Sequence, residues 1–130
     1  MAQWDLEVLW AAGFFEGEGS ITRHGRRFAM QIKNTDHEPL ARFRHAVEAG
    51  EIYGPYHYDD ERYRHVKRFW LWVAASGAGF ATLRLLAPHL SRRRLDQALD
   101  VLPLVNGTFA ADADRTYAWI RELRRHREGA

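Results

Sequence analysis

The chain has 130 residues, of which 46% are hydrophobic and none is cysteine. This length predicts one globular domain over residues 1–130, and the lack of cysteine excludes a disulfide scaffold or a thiolate metal site. The formal net charge is only +2, but 17 of the 19 basic residues are arginines. Because arginine binds phosphates and guanine edges with its forked guanidinium, this bias modestly favours a nucleic-acid partner.

The N-terminal residues contain no apolar run that is long enough for a signal peptide or a transmembrane helix. We therefore expect no membrane partner and a cytoplasmic location, with a prokaryotic or phage gene favoured and an organelle left open. The histidines are scattered without an HExxH motif or an i, i+4 pair, so we expect no zinc site.

The first predicted element is a helix over residues 4–18, closed by Gly19 in the place that a C′ glycine prefers. Gly13 and Gly17 each cost a helix interior roughly 1 kcal/mol relative to alanine. Their i, i+4 spacing therefore predicts that another backbone approaches this face closely. The apolar residues of the helix are Leu6, Leu9, Trp10, Phe14 and Phe15.

Two carboxylates lie in the last turn of this helix. Glu16 and Glu18 are beside the negative pole of the helix dipole, which is unfavourable for anions unless a cation is bound there. Carboxylates and the free carbonyls of a helix C-terminus are oxygen ligands, which suit a hard divalent ion such as Mg²⁺. Residues two apart on a helix do not share a face, so the spacing alone leaves open which glutamate is the ligand.

Alternating apolar and polar residues predict two β-hairpins separated by a helix. The first hairpin follows Gly19, turns at residues 24–26 and ends at Asn34. The helix covers residues 37–49, with Asp36 as its N-cap and Gly50 as its terminator. The second hairpin has strands over residues 51–58 and 64–75 and a turn at 59–61. Together they predict an α+β fold with one four-stranded antiparallel sheet.

Three helices are predicted after the sheet. The first covers residues 76–90, and the second is capped by Ser91 and runs to residue 102. A loop at 103–111 separates it from the third, which covers residues 113–127. Arg92, Arg93 and Arg94 lie in the first turn of the second of these helices, against its dipole. A bound phosphate would relieve that mismatch.

Residues 11–19, AAGFFEGEG, resemble the LAGLIDADG motif of homing endonucleases. The order α-β-β-α-β-β-α extends the resemblance over about residues 4–102. Ala11 replaces the leading leucine, and glutamate replaces aspartate at both acidic positions, which keeps the ligand chemistry. The motif occurs once, so the resemblance implies a homodimer in which two such helices pack at a two-fold axis. The implied interface residues are Leu9, Ala12, Gly13, Glu16 and Gly17.

The resemblance also implies the metal ligands and the active-site residues. Glu18 and the Gly17 carbonyl would hold Mg²⁺ or another divalent cation such as Mn²⁺. Asn34 matches the strand end where a polar side chain holds waters around the metals, with a turn residue as the alternative. The register leaves Arg93 or Arg94 as the cation that stabilises developing charge.

In this family the sheet forms a saddle on double-stranded DNA. Polar and forked side chains on such a surface can reach base edges in the major groove. On such an exposed face, two tryptophans, Trp70 and Trp72, would be more readily explained by contact with a partner than by contact with water. The predicted DNA-contacting residues are Ser20, Thr22, His24, Gln31, Lys33, Arg68, Trp70 and Trp72.

The resemblance therefore implies a homodimeric, Mg²⁺-dependent homing endonuclease that hydrolyses both strands of a long pseudo-palindromic site, in the context of intron or intein mobility. One alternative is a domain of the same fold that binds DNA or intron RNA without cutting it, as a maturase or regulator. Another is a small dimeric α+β interaction module without a nucleic-acid role.

Overall fold

The computed structural model describes residues 2–57 and 67–128. None of the helices in these two ranges is long and apolar enough to cross a membrane. Short 3-10 turns occupy Ala87–His89, Leu102–Leu104 and Gly107–Phe109. The main elements are α1 (Gln3–Glu18), β1 (Gly19–His24), β2 (Arg27–Asn34), α2 (His37–Val47), β3 (Glu51–Tyr56), β4 (Phe69–Ala75), α3 (Ser76–Leu86), α4 (Arg92–Val101) and α5 (Ala110–Glu128).

The strands form one four-stranded antiparallel sheet with the order β1-β2-β4-β3. The predicted α+β class, with two hairpins separated by a helix, is therefore confirmed. The predicted turn at 59–61 lies outside the described residues, as do strand residues 58 and 64–66. The predicted loop at 103–111 is shorter than expected because α5 begins at Ala110.

The inner face of the sheet packs against the helices. The ladder fixes which residues share this face, because Ile21 pairs with Met30, and Ile32 pairs with Trp72. The side chains of these four residues are buried in the core. The opposite, outer face of the sheet is at least partly exposed at Ser20, Gln31 and Lys33, but Ala29 on the same face is fully buried.

Trp72 corrects the predicted faces of β4. Its side chain is fully buried, its indole N–H donates to the Ala49 carbonyl at 3.0 Å, and its ring meets Phe43 edge-on. Trp70 is half-buried against the core on the same inner face, and the exposed Arg68 lies with its guanidinium over the Trp70 ring. Alternation separates the two faces of a strand without saying which is inward, and the larger apolar area of tryptophan decides it here.

α1 covers the sheet with Val8, Ala11, Ala12 and Phe15 buried. Gly19 follows the helix with φ −84°, so it does not end α1 through a left-handed conformation as predicted. A Cβ at Gly19 would instead lie 2.7 Å from Cγ of Phe15. Glycine is required here because β1 passes close to that ring.

Candidate active site and nucleic-acid interface

The carboxylate of Glu16, in the last turn of α1, is bound by Ser91 at the start of α4. Its Oε1 accepts a hydrogen bond from the Ser91 backbone N–H and its Oε2 accepts one from the Ser91 hydroxyl, both at 2.7 Å. The Ser91 hydroxyl oxygen in turn accepts a hydrogen bond from the Arg94 backbone N–H at 3.3 Å. Ser91 is therefore the N-cap of α4, as predicted. The contact made by Glu16, Ser91, Arg93 and Arg94 is called the α1–α4 junction below.

Arg94 completes the α1–α4 junction from the other side. Its Nε and Nη2 donate to the Glu16 carbonyl at 3.2 and 2.9 Å, and its Nη1 donates to the Gln97 side chain at 2.8 Å. Its guanidinium lies 5.5 Å from the centroid of the Phe15 ring, and the residue is only 5% exposed. A carbonyl in the last turn of α1 is thus satisfied by a buried cation.

The junction explains two features of the sequence that are unfavourable when each helix is considered alone. Glu16 lies at the negative end of the α1 dipole, and Arg94 lies at the positive end of the α4 dipole. In the structure, the Glu16 carboxylate faces the N-terminus of α4, while Arg94 faces the C-terminus of α1. Each charge therefore lies at the pole of the neighbouring helix that attracts it.

The ionisation of Glu16 follows from these contacts. Burial acts to raise the pKa of Glu16, but the hydrogen bonds from Ser91 and the charges of Arg94 and Arg93 outweigh burial and lower that pKa. Glu16 and Arg94 are therefore engaged with each other inside one chain. Arg94 is almost fully buried, so of the two predicted active-site cations Arg93 is the accessible one. The place of Glu16 in a dimer interface stays a prediction.

Glu18 differs from Glu16 in its surroundings. It is exposed, and within the described part of the chain no hydrogen bond or ion pair reaches its carboxylate. Gly17 beside it is also exposed. The Arg93 side chain is 62% exposed, with Nη2 3.3 Å from the Glu16 carbonyl. The end of α1 thus presents Glu18 as its available carboxylate and Arg93 as its accessible cation.

An exposed stripe of Leu6, Leu9, Gly13 and Gly17, called the α1 stripe below, runs along α1. Leu6 is 53% exposed and Leu9 is 38% exposed, so these leucines are outside the core. A Cβ built on Gly13 or Gly17 would meet no described atom within 4 Å, so neither glycine is required by its own chain. Ala12 is 1% exposed, which removes it from the predicted interface.

Asn34 ends β2, where its Oδ1 accepts a hydrogen bond from the Asp36 N–H at 2.8 Å. The register pairs Asn34 with Trp70, which places it on the inner face of the sheet. Asn34 is thus a turn residue that precedes the N-cap of α2. Its catalytic role stays a prediction.

The outer face of the sheet carries two cross-strand rows of side chains. In the first row, Ser20 pairs with Gln31, Gln31 with Val73, and Val73 with Glu51. In the second row, Lys33 pairs with Leu71, and Leu71 with Tyr53. The face is therefore polar and cationic on β1 and β2 and apolar on β4 at Leu71 and Val73, while β3 contributes the acidic Glu51 and the aromatic Tyr53. The predicted DNA contacts that lie on it are Ser20, Thr22, His24, Gln31 and Lys33. The Thr22 hydroxyl is buried and has no hydrogen-bond partner among the described residues.

The sequence interpretation missed Ser91 as a residue of the site and Leu71 and Val73 as surface residues. A signal for Ser91 was available, because a helix that ends in glutamate and a helix that begins with arginines are complementary when they meet. No such signal marks Leu71 or Val73, because an apolar residue in an alternating strand normally points inward.

No protein-family model matches the sequence, and no curated protein matches it. Among solved structures, the chain is similar to the homing endonuclease I-CvuI in complex with its target in the presence of calcium. The TM-score is 0.57 and the identity 18%, over 92% of this chain and 83% of that chain. It is also similar to I-CvuI in complex with the I-CreI target in the presence of magnesium, in which the DNA is not cleaved. There the TM-score is 0.55 and the identity 17%, with the same coverage. The chain therefore has the LAGLIDADG homing endonuclease fold.

Proposed function

We propose that the protein is a homodimeric, divalent-metal-dependent endonuclease that cuts both strands of a long pseudo-palindromic DNA site. The observation that carries this proposal is the contrast at the end of α1. Glu16 is held by Ser91 and Arg94, whereas Glu18 is exposed and has no partner among the described residues. The Glu18 carboxylate has no cation paired with it among the described residues, and a bound divalent cation would supply one.

One chain would supply half of such a site. Within residues 2–57 and 67–128, no three His, Cys, Asp or Glu side chains lie together as a metal-binding group. The α1 stripe combines exposed leucines with two glycines that have open space above them, which suits close packing against a second α1. Such packing would bring the Glu18 residues of two chains to one site, and the shared fold supports this arrangement.

The donor set at the end of α1 fits a hard divalent cation. Glu18 offers a carboxylate and Gly17 a carbonyl, and Mg²⁺ and Mn²⁺ prefer oxygen donors. When bound, such a cation activates a coordinated water and stabilises negative charge on a phosphate. Arg93 would attract the scissile phosphate and stabilise the charge that develops on it, and it would not act as a base, since arginine stays protonated.

The outer face of the sheet is the proposed DNA-binding surface. Gln31 and Ser20 are polar side chains of the kind that read base edges, Lys33 adds positive charge toward phosphates, and His24 adds a ring that can form hydrogen bonds. β2 has 8 residues, and at ~3.3 Å per residue it spans ~26 Å, or ~8 base pairs. A dimer would therefore read about 16 to 22 base pairs as two related half-sites.

Cleavage of DNA that flanks the insertion point of the chain's own coding sequence tests the proposal. The wild type should make double-strand breaks there with Mg²⁺ or Mn²⁺, detected by sequencing the new ends. Glu18→Gln should abolish cleavage while DNA binding stays intact or tightens, because it removes a metal ligand and a negative charge near phosphates. Glu16→Gln is the matched control and should be milder.

The other outcomes separate the alternatives. Tight binding of the same DNA without cleavage in either metal would favour a non-cleaving DNA-binding protein of this fold. A failure to bind any DNA at low salt would favour an interaction module. A greater loss of cleavage in Glu16→Gln than in Glu18→Gln would show that the wrong carboxylate has been assigned.

A further inference from the structure

The outer face of the sheet holds an apolar group that the proposed DNA contacts leave unexplained. Leu71 and Val73 on β4 are partly exposed, and Tyr53 on β3 is 49% exposed. Tyr53 pairs with Leu71, and Val73 lies two residues further along the same strand face, so the three side chains are neighbours. An exposed apolar group of this kind indicates a contact with a partner.

Each of the two β4 side chains has a polar partner on β2. Gln31 lies directly opposite Val73, and Lys33 lies directly opposite Leu71. Side chains opposite each other in an antiparallel pair have Cβ atoms about 4.5–5.5 Å apart. Each pair thus presents a hydrogen-bonding or cationic group beside an aliphatic one, at a spacing comparable to the edge of one base pair.

An amide beside an isopropyl group matches the major-groove edge of an A·T pair. Adenine offers N7 and N6 to a bidentate glutamine, while thymine offers its 5-methyl group to an apolar side chain. Lys33, opposite Leu71, likewise adds a cation to the same face, with its Nζ 4.2 Å from the centroid of the neighbouring Phe69 ring. DNA fits this surface better than a protein does, because Gln31 and Lys33 on β2 are groups that bind bases and phosphates. The acidic Glu51 on the other side of Val73 is paired with Arg44.

We infer that Val73 and Leu71 contact thymine methyl groups, so that each half-site carries thymine at two positions beneath β4. The inference rests on the proposed function, because it names the base pairs that the same surface prefers. Ser20 and His24, on the other half of the face, read their positions without an aliphatic partner on β4.

Removal of the methyl group from the DNA tests this inference. Sites that the wild type binds are selected from a random duplex library, and each enriched thymine is then replaced by deoxyuridine, which lacks only the 5-methyl group. We expect thymine at two positions of each half-site. Each replacement there should weaken binding about fourfold, the equivalent of one buried methylene.

Protein variants assign each methyl group to its side chain. Val73→Ala should bind DNA with thymine or deoxyuridine equally well at the position that Val73 contacts. Leu71→Ala should do the same at the position that Leu71 contacts. Ser20→Ala is the matched control from the same row as Val73, and it should keep the thymine preference. Val73→Thr retains the branched shape and one methyl group, so it should keep the preference even if Val73→Ala does not fold.

The outcomes distinguish the inference from the proposed function. Enriched sites without thymine at these positions, or equal sensitivity to deoxyuridine in the wild type and Val73→Ala, would overturn the inference and leave DNA binding in place. A library from which no DNA is enriched would count against the proposed function and, with it, the inference.

Discussion

The carboxylate of Glu16 in α1 and the N-cap Ser91 of α4 are joined by two hydrogen bonds of 2.7 Å. The two residues are 75 positions apart, so the contact ties the end of the motif helix to the C-terminal helices. Arg94 adds a second connection through the Glu16 carbonyl. The last turn of α1, from which Glu18 projects, is therefore held from outside the helix.

Substitutions of Ser91 should test how much this contact stabilises the protein. Ser91→Ala should lower the free energy of unfolding by about 1–2 kcal/mol, because α4 loses its N-cap and Glu16 loses a donor. Ser91→Asp separates the two effects, because aspartate caps a helix as well as serine does but would repel the Glu16 carboxylate. Urea unfolding at neutral pH measures both. An aspartate variant as stable as the wild type would contradict the contact.

Acid should weaken the α1–α4 junction through Glu16. The pKa of Glu16 in the folded protein lies below the usual value of 4.5, so the unfolded chain binds more protons between those two values. The stability that Glu16 contributes is therefore present above about pH 5 and is lost as the pH falls through the folded-state pKa. Glu16→Gln should shrink the loss of stability between about pH 5 and pH 3, measured by urea unfolding.

Glu7 supplies the control for this pH effect. Its hydrogen bond from Arg42 lowers the pKa of Glu7, so acid removes a stabilising contribution there as well. Glu7→Gln should leave the Glu16 contribution in place. If Glu16→Gln and the wild type lose the same stability in acid, the contacts of Glu16 with Ser91 and the arginines do not lower its pKa in solution.

The adjacent residues Arg93 and Arg94 should respond oppositely to the same substitution. Arg94→Met should lower the free energy of unfolding by about 2–3 kcal/mol, because it leaves the Glu16 carbonyl without its buried donor. Arg93→Met should change stability by less than about 0.5 kcal/mol, because exposed ion pairs contribute little. Arg93→Met should instead slow single-turnover cleavage roughly 100-fold, because the negative charge that develops on the scissile phosphate loses its stabilising cation. Slow cleavage by a stable Arg94→Met protein would reverse the two roles.

Much of the fold could be predicted because its signals are local. Asp36 accepts a hydrogen bond from the Glu38 N–H as the predicted N-cap of α2, and Ser91 caps α4. The first hairpin follows the predicted alternation of its residues, and its apolar residues Phe28 and Met30 are buried. These features depend on neighbouring residues, which a sequence displays directly.

The candidate site was less predictable because its contacts join distant segments. Glu16 and Glu18 are equivalent acidic residues in the sequence, and only the position of Ser91 separates the held carboxylate from the exposed one. The faces of β4 were inverted for a related reason. Trp72 fills a space bounded by Phe43 of α2 and the Ala49 carbonyl, and that space exists only once the helix lies on the sheet.

Gly13→Leu should separate folding from self-association. No described atom lies within 4 Å of a Cβ at this position, so the leucine would not clash with its own chain. Leucine also favours a helix over glycine by roughly 1 kcal/mol, so the isolated fold should be at least as stable as before. In the proposed homodimer, the same side chain would hold two α1 backbones apart. We therefore expect the wild type to be dimeric and the variant monomeric in sedimentation velocity at micromolar concentration.

Ala118→Leu provides the matched control for this substitution, because it adds a leucine to an exposed position of α5, a helix that packs mainly against α3 and α4. It should leave the wild-type dimer intact, which excludes a general effect of surface leucine on association. Thermal unfolding of both variants confirms that each is folded. A dimeric Gly13→Leu protein would place the interface away from the α1 stripe. A monomeric wild type would remove the second Glu18 from the proposed site, because one chain offers only one such carboxylate at the end of α1.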